Sequence, residues 1–135
     1  MCHNGDNFSD GLFHNVGIGF NVDGSPGEGA DIGRGKVTKD AADNYKFRTP
    51  TLRNVSATAP YFHDGSVATL KEAVKYMASG GVVKGPSADP LLRPVVLNDV
   101  EVDDIVAFLE SLSCPGSLEV LGDQAVPWSK PTATP

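Results

Sequence analysis

Residues 49–66 read TPTLRNVSATAPYFHDGS, and this stretch separates a loop-rich first part of the chain from two helical patterns. It holds two prolines and several Ser and Thr residues between apolar anchors, with no helical period. Proline does not fit a helix interior. The stretch therefore predicts an ordered, mostly extended segment lying along a core, with Asp64 as a turn residue.

A first amphipathic helix follows directly in ATLKEAVKYMASGG, residues 68–81. Thr69 and Glu72 have the spacing of a capping box, and Gly80-Gly81 supplies a left-handed stop. The apolar residues of one face recur at helical spacing. They are Leu70, Ala73, Val74 and Met77.

A second helix is predicted in LNDVEVDDIVAFLESL, residues 97–112. Asn98 and Glu101 resemble a cap, and Pro115 stops the helix. We expect its buried face to consist of Ile105, Val106, Leu109 and Leu112.

The remaining parts of the chain carry little periodicity. Residues 4–48 are rich in Gly, Asp and Asn, and GIGFNVDGSPGEGADIGRGK at 17–36 predicts a long loop that wraps a group or docks on a neighbour. We expect a single domain over 1–116 and an irregular strap or tail over 117–135, in which Trp128 packs as a tail aromatic.

The net charge of −6 argues against nucleic acid or an anionic membrane surface as the main partner. No apolar run has the roughly 20 residues needed for a membrane span.

The chain opens MCHNGDNFSDGLFHN, with Cys2 and His3 side by side. In the pattern C-x-x-C-H, two thiols bond to the vinyl groups of a heme and the His becomes an axial iron ligand. If Cys2-His3 ends such a pattern, we expect its first cysteine to precede Met1. The other cysteine, Cys114, is predicted to be a structural thiol. A heme would give Met77 a second interpretation beside core packing, because a thioether ligates heme iron opposite a His.

Three stretches together resemble the C-terminal heme domain of bacterial diheme cytochrome c peroxidases, a family that includes the enzyme maturing methylamine dehydrogenase. They are KFRTPTLRNV at 46–55, TAPYFHDGSVATLKEAV at 58–74, and the opening CHNG with FSDGLFHNVG. The resemblance covers about residues 1–112. It implies an all-α, cytochrome c-like fold of short helices and long ordered loops around heme c.

The resemblance also implies roles for individual residues. Cys2 matches the second heme-attachment cysteine, His3 the proximal iron ligand and Met77 the distal ligand. The methylamine dehydrogenase maturation enzyme uses a tyrosine instead, and Tyr76 is adjacent. Because neighbouring helical residues point about 100° apart, only one of the two can face the iron, and the apolar face favours Met77.

Further positions follow from the same likeness. Backbone carbonyls of Thr58 and Pro60 match a calcium site completed by another domain, and carbonyl oxygens suit that ion. From its own chemistry, Arg53 has two open interpretations: pairing with a heme propionate, because a guanidinium binds a carboxylate in a bidentate manner, or a surface ion pair. We expect His63 to be a hydrogen-bonded structural histidine and His14 to pack near the heme edge.

Three functions therefore stay open. The first is a c-type electron-transfer domain that holds no catalytic residue, takes electrons from a small cytochrome c or cupredoxin, and passes them to a peroxide-reducing heme in an N-terminal domain. The second is a heme-free fragment or interaction module. The third is a domain of a diheme protein-modifying oxidase. The family implies a periplasmic location, and the parent enzyme is expected to form a homodimer.

Overall fold

The computed structural model describes residues 1–82 and 89–114. Within these ranges the regular elements are three α-helices, two 3-10 turns and one small sheet, all joined by long ordered connections. Pro115, Trp128 and the predicted tail over 117–135 lie outside the described residues. In chain order the elements are β1 (Phe13–His14), α1 (Gly35–Thr38), a 3-10 turn at Ala41–Asp43, β2 (Phe47–Arg48), a 3-10 turn at Val55–Ala57, α2 (Leu70–Ala78) and α3 (Asp99–Ser111).

Both predicted helices form, and both begin with the predicted capping box. At α2 the Glu72 amide donates to the Thr69 hydroxyl at 3.2 Å, while the Glu72 carboxylate accepts from the Thr69 amide at 3.0 Å. Asn98 and Glu101 make the same reciprocal pair at the start of α3. These bonds satisfy backbone donors that a helix leaves free at its first turn.

The first helix ends at the predicted glycine pair. Gly80 has φ +80° and Gly81 has φ +70°, a backbone region that favours glycine. A Cβ at Gly80 would lie 2.9 Å from atoms of Pro94, so the close approach of that segment also requires glycine.

Helices α2 and α3 pack against each other in antiparallel fashion. Lys71 pairs with Asp103 and Lys75 pairs with Asp99, so increasing numbers on α2 meet decreasing numbers on α3. The predicted buried face of α3 was partly wrong. Its buried residues are Val102 and Leu109, whereas Ile105, Val106 and Leu112 are only half-buried. Val102 was missed, although it lies seven residues before Leu109 on the same stripe.

A two-residue antiparallel sheet departs from the all-α expectation. Phe13 pairs with Arg48 and His14 with Phe47, and the Thr49 amide donates to the Leu12 carbonyl at 2.9 Å. The sheet ties the segment behind the Cys-His pair to the start of TPTLRN. Between β1 and β2, the backbone at Gly33 lies close to the backbone at Lys46. Only glycine fits there, because a Cβ at Gly33 would lie 2.5 Å from the Lys46 carbonyl oxygen.

The apolar core is small. Among the described residues the buried apolar side chains of the core are Ile18, Tyr61, Val102 and Leu109. The apolar stripe of α2 contains no buried residue, and Leu70, Ala73, Val74 and Met77 are all half-buried. Amphipathic helices ordinarily bury such a stripe, so this face of α2 suits an apolar group laid against it.

Candidate functional site

The imidazole of His3 is held in one tautomer by the loop that follows it. Its Nδ1 lies 2.8 Å from the carbonyl oxygen of Phe8. A carbonyl can only accept a hydrogen bond, so Nδ1 carries the proton and Nε2 carries the free lone pair. Metal-ligating histidines typically make this second bond to a carbonyl or carboxylate, which fixes the orientation of the ring.

The loop from Cys2 to Asp10 is closed by its own backbone. The amide of Phe8 donates to the Gly5 carbonyl at 3.0 Å, and the amide of Asp10 donates to the Cys2 carbonyl at 2.8 Å. The conformation of the Cys2-His3 pair is thus fixed by hydrogen bonds to the residues that follow it. Burial raises the pKa of the Cys2 thiol, and the negative charges of Asp10 and Asp89 raise it further.

The segment TPTLR lies against this loop through three side-chain bonds. Ser9 Oγ donates to the Thr49 carbonyl at 2.8 Å, Thr51 Oγ1 donates to the Asn7 carbonyl at 2.7 Å, and Arg53 Nε donates to the Asp6 carbonyl at 3.0 Å. The predicted extended segment therefore contacts the loop that carries His3. The Arg53 guanidinium thus donates to a backbone carbonyl, that of Asp6. The pairing of Arg53 with a heme propionate stays a prediction.

The two candidates for the distal ligand differ in their surroundings. Tyr76 donates its hydroxyl proton to the Val16 carbonyl at 2.9 Å, its ring lies edge-on to Phe62, and burial raises the pKa of the phenol. Met77 lies on the half-buried apolar stripe of α2. A protonated phenol bonded to a carbonyl is a poor iron ligand, whereas the thioether carries no proton to lose.

His14 is held by two carboxylates, a feature that sequence reasoning missed. Its Nε2 lies 2.9 Å from Asp10 and its Nδ1 lies 2.6 Å from Asp89. Burial alone would lower the pKa of His14, but the hydrogen bonds and charges of Asp89 and Asp10 outweigh it and the pKa is raised.

Donor atoms of Cys2, Asp10 and His14 lie within 4.8 Å of one another. Both ring nitrogens of His14 are already bonded to carboxylates, so this group is an ion-pair cluster. Only the i, i+4 spacing of Asp10 and His14 was visible in the sequence.

The segment around Thr58 and Pro60 is exposed, and the Ala59–Pro60 peptide bond is cis. Asp64 accepts a hydrogen bond from the Ser66 amide at 3.0 Å, which confirms it as a turn residue. His63 stacks on Phe47 with ring centroids 3.6 Å apart, whereas the sequence predicted a hydrogen-bonded histidine. The face covered by Phe47 is withdrawn from water, and this partial burial lowers the pKa of His63.

The donor set fits a c-type heme. A thiol for vinyl attachment, an imidazole with a free Nε2 and a thioether on an apolar helix face are groups that such a heme uses, and the C-x-x-C-H pattern adds a second thiol to Cys2. The half-buried stripe of α2 is an apolar surface of the kind that a porphyrin would need beside it.

Comparisons with known proteins agree with this chemistry. The family described as RoxA-like, cytochrome c-like matches residues 46–78. The chain is 36% identical to the cytochrome-c peroxidase IdrP1 of Denitromonas iodatirespirans, over 83% of this chain and 36% of that protein. It is 41% identical to the cytochrome c551 peroxidase of Pseudomonas aeruginosa, over 83% of this chain and 29% of that protein. It is 35% identical to the methylamine utilization protein MauG of Methylorubrum extorquens, over 82% of this chain and 30% of that protein.

A solved structure gives the same result. A MauG-like protein associated with microbial copper homeostasis superposes with a TM-score of 0.69 at 35% identity, covering 83% of this chain and 41% of that one. The chain therefore has a cytochrome c-like fold. Its sequence is that of a domain related to part of the cytochrome-c peroxidases and MauG proteins.

The chain spans about a third of the length of these curated relatives, from 29% to 36% in the three named here. None of the helices within 1–82 and 89–114 combines the length and the apolar character that crossing a membrane requires.

Proposed function

We propose that this chain is a c-type heme electron-transfer domain of a cytochrome c peroxidase. It accepts electrons from a donor protein and passes them to a peroxide-reducing heme in another domain. His3 and Met77 would ligate the iron of the heme, and Cys2 would bond covalently to the porphyrin. The observation that carries the proposal is the 2.8 Å hydrogen bond from His3 Nδ1 to the Phe8 carbonyl, which leaves Nε2 free.

When bound, heme c supplies a one-electron couple, and His/Met ligation places that couple at high potential. The residues of this chain bind and orient the group. The Phe8 carbonyl holds the His3 proton on Nδ1, which makes the imidazole a stronger donor at Nε2. The apolar stripe of α2 would limit the access of water on the Met77 side of a bound heme. Two protein ligands to the iron would leave no open position for peroxide, so the domain would serve electron transfer.

Met77 is the proposed distal ligand, in preference to Tyr76. The Tyr76 hydroxyl is bonded to the Val16 carbonyl, and the pKa of the phenol is raised, so ligation would cost both the bond and the proton. This supports the peroxidase interpretation over a domain of a protein-modifying oxidase. A heme-free interaction module is disfavoured because the His3 tautomer and the α2 stripe both suit a ligand.

Further parts of the proposal follow from the family. Arg53 is proposed to reach a propionate, and the backbone carbonyls of Thr58 and Pro60 to supply part of a calcium site between domains. The donor would be a small cytochrome c or cupredoxin, the partner domain the peroxidatic N-terminal heme domain, and the parent enzyme a homodimer in the periplasm. In support, the Thr58–Pro60 segment is exposed and so open to a second domain.

The test is expression of the chain together with cytochrome c maturation machinery, followed by absorption spectroscopy before and after acid-acetone extraction. We expect a low-spin spectrum and heme that resists extraction in the original chain, and extractable heme in Cys2→Ala. A chain that takes up no heme, or that holds only high-spin heme, contradicts the proposal. Peroxidase turnover above that of free heme would contradict the assignment of an electron-transfer role.

A further inference from the structure

Three hydrogen bonds join residues 49, 51 and 53 to the loop 6–9. The Ser9 hydroxyl donates to the Thr49 carbonyl, the Thr51 hydroxyl donates to the Asn7 carbonyl, and the Arg53 guanidinium donates to the Asp6 carbonyl. Because 49 pairs with 9, 51 with 7 and 53 with 6, the segment follows the loop along its length in the opposite direction. The loop is therefore held from outside as well as by its own backbone.

Phe8 is the residue on which these contacts converge. Its φ of +49° lies in the left-handed region, which a bulky residue adopts only when its surroundings impose it. The Phe8 ring lies edge-on to Phe108 of α3, with centroids 6.1 Å apart, and the Arg53 guanidinium lies 5.6 Å from the ring centroid. The carbonyls of Asp6 and Asn7, just before Phe8, accept the bonds from Arg53 and Thr51.

We propose that Thr51 and Arg53 are positioning residues for His3, because they hold the backbone that aims the Phe8 carbonyl at His3 Nδ1. The inference rests on the proposed function only in taking His3 as an iron ligand. Thr51 and Arg53 bond the carbonyls of residues 7 and 6, which precede Phe8, and the Phe8 carbonyl bonds the His3 ring. Loss of the bonds from Thr51 and Arg53 lets the Phe8 backbone leave the left-handed region, and the Phe8 carbonyl then turns away from His3.

The consequence is chemical as well as structural. Without an acceptor, the proton on Nδ1 is no longer favoured over one on Nε2, and the ring is free to rotate. An imidazole with a weaker Nδ1 hydrogen bond donates less charge to a metal at Nε2. The ferric form of a bound heme is then less stabilised, and the reduction potential rises.

Thr51 separates this role from a contact between Arg53 and a propionate. Its hydroxyl carries no charge, and its bond goes to the Asn7 carbonyl at 2.7 Å. A propionate contact predicts an effect of Arg53 alone, whereas the positioning role predicts the same direction of change at both residues. Thr38 offers a matched control, since its hydroxyl also donates to a carbonyl, that of Arg34, far from the loop.

The experiment uses the full chain with ¹⁵N-labelled histidine and compares the original sequence with Thr51→Val, Thr51→Ser, Arg53→Lys and Thr38→Val. The readouts are the tautomer of His3 by long-range ¹H–¹⁵N correlation and, in the heme-loaded chain, the reduction potential. We expect mixed tautomers and a raised potential in Thr51→Val and Arg53→Lys, with Thr51→Ser and Thr38→Val unchanged. An unchanged tautomer and potential in Thr51→Val overturns the inference. An original chain that takes up no heme defeats the proposed function, and the His3 tautomers in the same chain still decide this inference.

Discussion

A 2.6 Å hydrogen bond joins His14 Nδ1 to the carboxylate of Asp89, across 75 positions of the chain. The other ring nitrogen bonds Asp10 at 2.9 Å. His14 is buried and follows the Cys-His loop, whereas Asp89 lies on the segment that leads to α3. This Asp–His–Asp cluster therefore links two parts of the fold that share no regular element.

The cluster predicts a pH-dependent contribution to stability. The pKa of His14 is raised above 6.5, so its contribution is complete below that value and is lost as the pH rises through the higher folded value. The pKa of Asp10 is lowered from 3.8, so its contribution is present above that value and is lost as the pH falls through the folded one. We expect the cluster to stabilise the fold most between these limits.

Asp89→Asn tests that expectation. The substitution removes the charge of a half-buried carboxylate that is bonded to buried His14, and we expect it to lower the free energy of unfolding by about 2 kcal/mol in mildly acidic solution. The loss should shrink in alkaline solution, where His14 is neutral. Urea unfolding across the pH range measures it, with the exposed Asp104→Asn as control. A loss that is the same at all pH values would contradict the ion-pair account.

Gly33→Ala is predicted to destabilise the loop between β1 and β2. Gly33 has φ +55°, and a Cβ there would lie 2.5 Å from the Lys46 carbonyl oxygen and 3.0 Å from the Phe47 ring. We expect a cost of about 2 kcal/mol or more, the sum of the left-handed backbone and the clash. Gly29→Ala is the control, since φ is +69° with nothing within 4 Å, and should cost about 1 kcal/mol. Equal losses in the two variants would refute the close approach at Gly33.

Val102→Ala tests the packing of α3. Val102 is 2% exposed, so removing two methyl groups should cost about 2 kcal/mol through lost burial and a small cavity. Val100→Ala on the same helix is the matched control, because Val100 is 69% exposed, and should change stability by no more than about 0.5 kcal/mol. Thermal or urea unfolding compares the two. A Val102 variant as stable as the Val100 variant would show that α3 buries a different face.

Tyr76→Phe is predicted to leave the heme spectrum unchanged. The variant loses the hydrogen bond from the Tyr76 hydroxyl to the Val16 carbonyl, at a cost of about 1 kcal/mol in stability. Met77→Leu keeps the apolar stripe but removes the sulfur, and should convert the low-spin form to high spin. Absorption spectra of both heme-loaded variants provide the measurement. The reverse pattern, with Tyr76→Phe altering the spin state, would transfer the ligand role to Tyr76.

Sequence patterns predicted the parts of the fold that are encoded locally. Helices α2 and α3, their capping boxes and the Gly80-Gly81 stop depend on residues within a few positions of one another. Helix α1 has four residues, which is too few to show a helical repeat of apolar residues in the sequence. The bond between His14 and Asp89 and the contacts of Thr51 and Arg53 with residues 6 and 7 were invisible, because they join segments far apart in the chain. Val102 was missed because the apolar stripe was begun one turn too late.

The proposed function depends on ligation of the heme iron by His3 and Met77, which near-infrared magnetic circular dichroism of the ferric heme-loaded chain can detect. This method distinguishes pairs of axial ligands by the energy of a charge-transfer band. We expect the band of a His/Met pair in the original chain and its loss in Met77→Leu. A band of a His/His or His/tyrosinate pair, or a His/Met band that persists in Met77→Leu, would contradict the proposed ligation.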